Sequence, residues 1–296
     1  MIWLKRNPTV SIIVCLLVLL VGTPAFSFFP KEATQLTFAV IGDSGTGKTG
    51  QYAVARQMKA TYEKNRFEFV LMLGDNIYSN GNAKHFKKKF ELPYEPLLDA
   101  GVKFYASLGN HDVRRGREAQ LNYDKFNMNG QSYYSFAQGD VEFFALDSTR
   151  MNAEQIAWIE AKLKASTARW KVAFFHHPLY SSGKRHGSEM NLRGVLEPLF
   201  TRFGVNAVFS GHDHFYERIK PQQGVQYFVQ GASGQLRKNG MKKKTHLTAA
   251  SNDVTHSFLL VRANAAEMQV EAISETGEVI DKVTIPAFVA AQTMTR

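Results

Sequence analysis

Residues 37–45 read TFAVIGDSG, an apolar run that stops at Gly42 and Asp43. A short apolar run bounded by glycine is typical of a buried strand that ends in a turn. Four further segments have the same form, and each stops at Asp, Asn or His. They are FVLMLGDNIY (69–78), FYASLGNHD (104–112), KVAFFHHPLY (171–180) and NAVFSGHDHFYE (206–217). Because longer mixed segments separate these runs, the sequence predicts an α/β fold.

The composition is that of a globular protein. Of 296 residues, 44% are hydrophobic and 21% are charged, which excludes a disordered, collagen-like or coiled-coil chain. The net charge of +10 favours anionic partners such as small phosphorylated substrates. The excess is too modest to indicate nucleic acid, and the oligomeric state cannot be read from it.

The first 27 residues have the pattern of a secretory signal peptide. Lys5 and Arg6 precede an apolar run from Val10 to Val21, and residues 25–27 form a small-x-small cleavage site. The apolar run is shorter than the ~20 residues that span a bilayer. We therefore expect export to the periplasm or the medium, with no stable membrane span after cleavage.

A single catalytic domain is predicted over residues 31–286. Cys15 is the only cysteine and lies in the signal segment, so this domain has no disulfide and no thiolate metal site.

Two helices and an antiparallel finish are predicted within it. Helices are expected over 49–65 and 152–165, the second capped by Asn152. After Pro221 the runs QYFVQ, SFLLVRA, MQVEAIS and VIDKVTI indicate antiparallel strands, with a hairpin turn over 275–278. A basic stretch between Arg237 and Thr245 is read as a solvated loop, with a substrate-facing patch as the alternative.

The five strand ends carry residues that bind metals. The loops at the carboxyl ends of strands in an open α/β sheet gather around one crevice, so distant segments can form one site. The candidate ligands are Asp43, Asp75, Asn110, His176, His212 and His214. Oxygen and imidazole donors suit zinc, manganese or iron. Since one catalytic ion takes about three protein ligands, this set predicts two ions bridged by one carboxylate, for which Asp75 is the natural candidate.

The ordered motifs GDxG, GDxxY, GNHD, HxPxY and GHDH resemble those of the calcineurin-like metallophosphoesterases. Tyr78, in GDxxY, and the segment HHPLY are similar to the purple acid phosphatases, especially the small tartrate-resistant type. The resemblance implies a four-layer α/β/β/α sandwich with mixed sheets, and it covers nearly all of residues 31–286.

The resemblance also implies roles for individual residues. Ferric iron would be held by Asp43, Asp75, Tyr78 and His214. A second ion, Fe(II), Zn(II) or Mn(II), would be shared through Asp75 and held by Asn110, His176 and His212. His111 would contact the phosphate or protonate the leaving group, Asp112 would orient the His111 ring, and His186 would lie at the pocket rim.

The predicted activity is hydrolysis of phosphate monoesters by a metal-bound hydroxide. A phosphodiesterase or nucleotidase on the same centre is the main alternative. Residues 42–49, GDSGTGKT, also match the phosphate-binding loop pattern GxxxxGK[ST], so a P-loop NTPase is a remote second class. A P-loop NTPase would not explain why the histidine motifs are present. A binding protein that kept the fold is a third class, although every expected ligand position is filled.

Two residues have ordinary alternatives. Tyr78 could be a half-buried aromatic residue, which would make the protein a colourless member of the wider group. His177 is interpreted as a neighbour of the metal site rather than a ligand, because the family pattern places the ligand two residues before the proline.

Overall fold

The computed structural model describes residues 35–242 and 245–287, together with residues 1 and 3. The predicted signal peptide, apart from two isolated residues, lies outside the described residues. Among the helices of the described part, none has the length and apolar character needed to cross a membrane.

The described residues form thirteen strands and five α-helices. The strands are β1 Leu36–Ile41, β2 Phe69–Met72, β3 Lys103–Ala106, β4 Tyr134–Gln138, β5 Val141–Ala145, β6 Trp170–Phe175, β7 Ala207–Ser210, β8 Tyr216–Ile219, β9 Gln226–Gln230, β10 Thr248–Asn252, β11 Ser257–Ala263, β12 Glu267–Ser274 and β13 Val279–Pro286. The helices are α1 Thr49–Lys64, α2 Leu92–Asp99, α3 Arg117–Leu121, α4 Ala153–Ala165 and α5 Met190–Arg202.

The strands form two mixed sheets. The first has the order β13-β12-β11-β1-β2-β3, in which β1, β2 and β3 are parallel. The second has the order β10-β8-β9-β7-β6-β5-β4, in which β5, β6, β7 and β9 are parallel. Parallel strands need crossover connections, and the helices supply several of them.

Aromatic side chains join the two sheets face to face. Phe38 on β1 packs edge-on against Phe143 on β5, with 5.1 Å between ring centroids, and also meets Phe209 on β7. Phe69 on β2 contacts the same Phe143 ring at 5.3 Å. Edge-to-face contacts of this kind add to the stabilisation that burial provides. The core of the protein therefore lies between the sheets.

Helices cover the outer faces. Ile159 and Leu163 of α4 and Leu196 and Phe200 of α5 pack with outward-facing residues of the second sheet in a separate apolar cluster. On the other side, α1 contacts β11 and α2. The layers therefore run helix, sheet, sheet, helix, and the predicted four-layer sandwich is confirmed.

Both predicted helices are present. Helix α1 begins at Thr49 as predicted and ends at Lys64, one residue early. The side chain of Asn152 caps α4, since its Oδ1 accepts a hydrogen bond from the nitrogen of Gln155 at 2.9 Å.

The C-terminal prediction is correct for β11, β12 and β13 and only partly correct for β9. Strands β11, β12 and β13 are antiparallel, and the turn between β12 and β13 contains Gly277 at φ +91°. Strand β9, the QYFVQ run, lies inside the second sheet, where it pairs antiparallel with β8 and parallel with β7. Its residues are all buried, which is what a central strand requires, and a buried run carries no signal of direction. Strand β10 was not predicted.

Candidate metal centre

The five predicted ligand segments meet at one edge of the sandwich. Strands β1, β2 and β3 of the first sheet end there, and so do β6 and β7 of the second. The crevice therefore lies between two sheets rather than along a single one.

The turns that follow these strands are tight. Asp43, Asp75 and His212 have φ values of 52°, 51° and 70°, in the left-handed region that side chains seldom adopt. At Gly109 a Cβ atom would lie 2.2 Å from the backbone nitrogen of Asp75, so only glycine fits there. These turns aim the side chains inward.

One cluster of donor atoms forms around Tyr78. Its phenolic oxygen lies 2.8 Å from Oδ1 of Asp43 and 3.1 Å from Nε2 of His214. The same Asp43 and His214 atoms are 3.4 Å apart. Asp43 is fully buried and Tyr78 is 7% exposed.

A second cluster forms around His176. Its Nε2 atom lies 3.0 Å from Oδ1 of Asn110 and 3.0 Å from Nδ1 of His212. Its Nδ1 atom donates a hydrogen bond to the carbonyl oxygen of Leu73 at 3.0 Å. Nε2 is therefore left without a proton and is free to bind a cation.

Asp75 lies between the two clusters. The donor atoms of Asp43, Asp75 and His176 all lie within 4.8 Å of one another. One Asp75 oxygen, Oδ1, also accepts a hydrogen bond from the backbone nitrogen of His111 at 2.8 Å. The structure thus brings together all seven residues predicted as metal ligands, with Asp75 where a bridge would have to be.

The donor set fits two metal ions. Lone-pair atoms face one another at about 3 Å in both clusters, the spacing of ligands that share an ion bound at about 2 Å. Burial and the neighbouring His176 and His177 rings lower the pKa of His212, so it is neutral, as a ligand must be. Burial and the carboxylates of Asp43 and Asp75 raise the pKa of Tyr78 well above its usual value, so an ionised Tyr78 needs a strong cation beside it.

His111 lies at the solvent side of the site. Its Nε2 atom is 4.0 Å from Oδ2 of Asp75, and its Nδ1 atom is 2.6 Å from the carbonyl oxygen of Ser79. The expectation that Asp112 orients this ring is wrong, since the Ser79 carbonyl occupies that position.

Asp112 instead accepts hydrogen bonds from the backbone of the neighbouring turns. Its carboxylate is fully buried and accepts hydrogen bonds from the nitrogens of Asn76, Ile77 and Gly109 at 2.9–3.0 Å, and from the side chain of Gln120. Burial and the charge of Asp75 raise the pKa of Asp112 to about 7. Asp112 therefore shapes the turns that carry Asp75 and Asn110.

His186 lies at the rim, as the resemblance implied. Its ring centroid is 4.0 Å from that of His212. The loop that carries it is fixed by Asp213, whose Oδ2 accepts hydrogen bonds from Ser181 Oγ at 2.5 Å and from the nitrogen of Gly187 at 3.0 Å. This role of Asp213 was not visible in the sequence, because a residue between two ligands looks like a spacer.

His177 adjoins the second cluster. Its Nδ1 atom pairs with Oγ of Ser148 at 2.9 Å, and its ring centroid lies 4.6 Å from that of His212. Burial lowers the pKa of His177 to about 3, so the ring is neutral.

Residues 42–49 do follow a strand and precede a helix, but they do not form a phosphate cradle. A P-loop needs free backbone N–H groups to bind phosphate. Here the nitrogens of Gly45, Thr46, Gly47 and Lys48 donate within the protein, to Asp75 O, Ser44 O, Gln51 Oε1 and Thr46 Oγ1. The P-loop alternative is therefore excluded.

A cavity of about 510 Å³ opens beside Tyr78, His111 and His214. Four cationic side chains line it, those of Lys48, Lys89, Arg185 and Arg237, and no carboxylate does so among the described residues. Arg237, from the basic stretch read as a solvated loop, thus faces the site. Lys89 and Arg185 belong to no motif, and only the tertiary fold brings them here.

The fold and the paired donor clusters together define a dimetal phosphoesterase scaffold. The chain belongs to the calcineurin-like phosphoesterases, whose family model matches residues 36–216. It is 24% identical to the tartrate-resistant acid phosphatase type 5 of Rattus norvegicus, over 89% of this chain and 94% of the rat protein. The predicted resemblance to purple acid phosphatases is confirmed, and the protein is a metallophosphoesterase of that type.

Two solved structures show the same fold. GAP50, the anchor in the inner membrane complex of Plasmodium, superposes with a TM-score of 0.78 at 22% identity, over 87% of this chain and 90% of GAP50. The purple acid phosphatase PPD1 from yellow lupin (Lupinus luteus) seeds gives 0.75 at 20% identity, over 87% of this chain and 55% of the lupin chain.

Proposed function

We propose that the protein is an exported acid phosphatase-like enzyme that hydrolyses phosphate monoesters with two metal ions. The observation that carries the proposal is the pair of donor clusters joined at Asp75, with a basic cavity beside them. When bound, the two ions would supply an activated water and stabilise the charge that develops on the phosphoryl group.

The first ion, Fe(III), would be held by Asp43, Asp75, Tyr78 and His214. A buried phenol between two carboxylates favours an ion of high charge there. The second, Fe(II), Zn(II) or Mn(II), would be held by Asp75, Asn110, His176 and His212, which offer neutral nitrogen and oxygen donors apart from the shared carboxylate.

His111 would protonate the leaving oxygen. Nδ1 donates a hydrogen bond to the Ser79 carbonyl at 2.6 Å, which fixes the ring and leaves Nε2 for the substrate. Nε2 is then the atom that donates to substrate, and the ring is partly exposed beside the cavity. His186 would contact the phosphate from the rim.

Monoesters are favoured over diesters by the charge of the cavity. A phosphate monoester carries nearly two negative charges at neutral pH, whereas a diester carries one. Four cationic side chains and no described carboxylate line the cavity, which suits the more highly charged ester.

Export rests on the sequence of residues 1–27, and the absence of cysteine from residues 31–286 is compatible with an oxidising compartment. The catalytic domain is proposed to span 31–286.

The test is hydrolysis of para-nitrophenyl phosphate and of bis(para-nitrophenyl) phosphate by the purified protein, with iron, zinc and manganese quantified on the same sample. We expect two metal ions per chain and faster turnover of the monoester. Faster turnover of the diester would replace the proposal with a phosphodiesterase. A fully metal-loaded protein that hydrolyses neither ester would contradict it.

A further inference from the structure

The basic cavity contains more positive charge than one phosphate group needs. Its four cations come from four separate segments of the chain. Lys48 precedes α1, Lys89 lies in the π-helical turn Lys87–Glu91, Arg185 lies before α5, and Arg237 follows β9. Because the four charges come from four segments and converge on one cavity, they are not simply the solvated face of a single helix or loop.

Three of these cations have no counter-charge among the residues that the structure describes. Among the described residues, the side chains of Lys48, Arg185 and Arg237 take part in no hydrogen bond and no ion pair. Some basic residues elsewhere on the protein are paired with carboxylates, as in Arg218–Asp281 and Arg262–Glu271. The free donors at the cavity are therefore available to an anionic ligand.

The segments that carry the cations are anchored to the metal centre. The nitrogen of Arg237 donates to the carbonyl of His214 at 2.8 Å, and Lys89 Nζ donates to the carbonyl of Tyr78. The nitrogen of Lys184 donates to the carbonyl of Gly240 at 2.9 Å, which joins the Arg185 and Arg237 loops. The backbone that carries Arg185 and Arg237 is thus held beside the metal centre.

We propose that this cavity binds a second phosphate group on the leaving part of the substrate. The preferred substrates are then phosphate monoesters whose alcohol carries at least one further phosphate. The inference rests on the proposed function: the metal ions would bind the phosphate that is cleaved, and the four cavity cations carry more charge than is needed to attract that phosphate alone. Lysine and arginine form strong charge-assisted hydrogen bonds to phosphate oxygens.

The experiment compares fructose 1,6-bisphosphate with fructose 6-phosphate as substrates of the metal-loaded protein. We expect kcat/KM to be about tenfold higher for the bisphosphate, the effect of roughly one charge-assisted contact. Lys48→Gln and Arg185→Gln should each reduce this ratio several-fold, mainly through a higher KM for the bisphosphate, and the loss on fructose 6-phosphate should be smaller. Lys164→Gln, an exposed change on α4, is the matched control and should not alter the ratio.

The experiment distinguishes failure of the second-phosphate site from failure of the proposed function. Equal kcat/KM for the two sugars in the wild-type protein, or equal losses on both in the cavity variants, would overturn the second-phosphate site while leaving the phosphatase intact. If the metal-loaded protein hydrolyses no monoester at all, the proposed function fails and this inference fails with it.

Discussion

Asp213 Oδ2 accepts a hydrogen bond from the backbone nitrogen of Gly187 at 3.0 Å. This contact joins the residue between His212 and His214 to the residue after His186. A Cβ at Gly183 would lie 2.1 Å from the same Asp213 oxygen, so the loop packs directly onto that carboxylate. The position of the rim histidine is therefore set from within the GHDH motif.

Asp213→Ala should release this loop. The change leaves the Gly187 nitrogen and the Ser181 hydroxyl without their acceptor, which costs about 1–3 kcal/mol when such groups are buried. Urea denaturation should show that loss, and phosphatase kcat/KM should fall. Asp213→Asn keeps one acceptor oxygen and should recover part of both. Asp140→Ala, at an exposed position, should change neither, and an unchanged Asp213→Ala protein would contradict the role.

Asp75→Asn should uncouple the two metal sites. An amide bridges two cations poorly because it carries no charge, so metal content should drop below two per chain and turnover should be nearly abolished. Metal analysis after gel filtration provides the measurement, and circular dichroism checks the fold. Full occupancy with normal turnover would show that Asp75 is not the bridge.

His111→Ala should slow turnover without removing metal. Proton donation contributes typically 10²–10⁴-fold, and it matters most for leaving groups of high pKa. The loss should therefore be larger for an alkyl phosphate than for para-nitrophenyl phosphate. Equal losses on the two substrates would argue against His111 as the acid.

Tyr78→Phe tests the ferric site. A tyrosinate bound to ferric iron should give the wild-type protein a visible absorption band, and removal of the phenol oxygen should abolish it. The spectrum and the iron content are recorded on the same sample, and Tyr52→Phe serves as the control. A colourless wild-type protein that contains zinc or manganese alone would place it outside the purple branch.

Asp281 clamps the two sheets together. Arg218 on β8 donates two hydrogen bonds to Asp281 on β13, at 2.7 and 3.0 Å, and Tyr216 donates a third at 2.7 Å. Asp281→Asn should reduce the free energy of unfolding by about 2 kcal/mol near neutral pH.

This effect should depend on pH. Burial alone would raise the pKa of Asp281, but the hydrogen bonds from Arg218 and Tyr216 hold it below the usual 3.8. Since the folded pKa is the lower one, the stabilisation is complete above the unfolded value and is lost as pH falls through the folded value. The difference between wild type and variant should be constant from about pH 5 upward and shrink below about pH 4. A difference that grows in acid would contradict the assignment.

The residues that meet at the candidate centre could be predicted because each lies in a short motif that begins at the end of a strand. Their order and chemistry are local properties, and Asp43, Asp75 and His212 also required turns in which neighbouring glycines allow close packing. The four layers came from the resemblance rather than from periodicity.

Hydrogen bonds from the site histidines to backbone carbonyls could not be predicted. The Leu73 and Ser79 carbonyls orient His176 and His111, but any residue type supplies a carbonyl. The parallel pairing of β9 with β7 was missed for a similar reason, because a fully buried strand looks the same in either orientation. Lys89 and Arg185 reach the cavity only through tertiary packing.

The split of the centre between two sheets also bears on how the protein matures. Asp43 and His212 are 169 positions apart, yet the Asp43 carboxylate accepts the His212 backbone N–H at 2.7 Å. A contact of such long sequence separation requires the closure of a long loop, which slows its formation. We would then expect metal to bind only after the sandwich is complete. A truncated or half-folded chain would therefore have no partial activity.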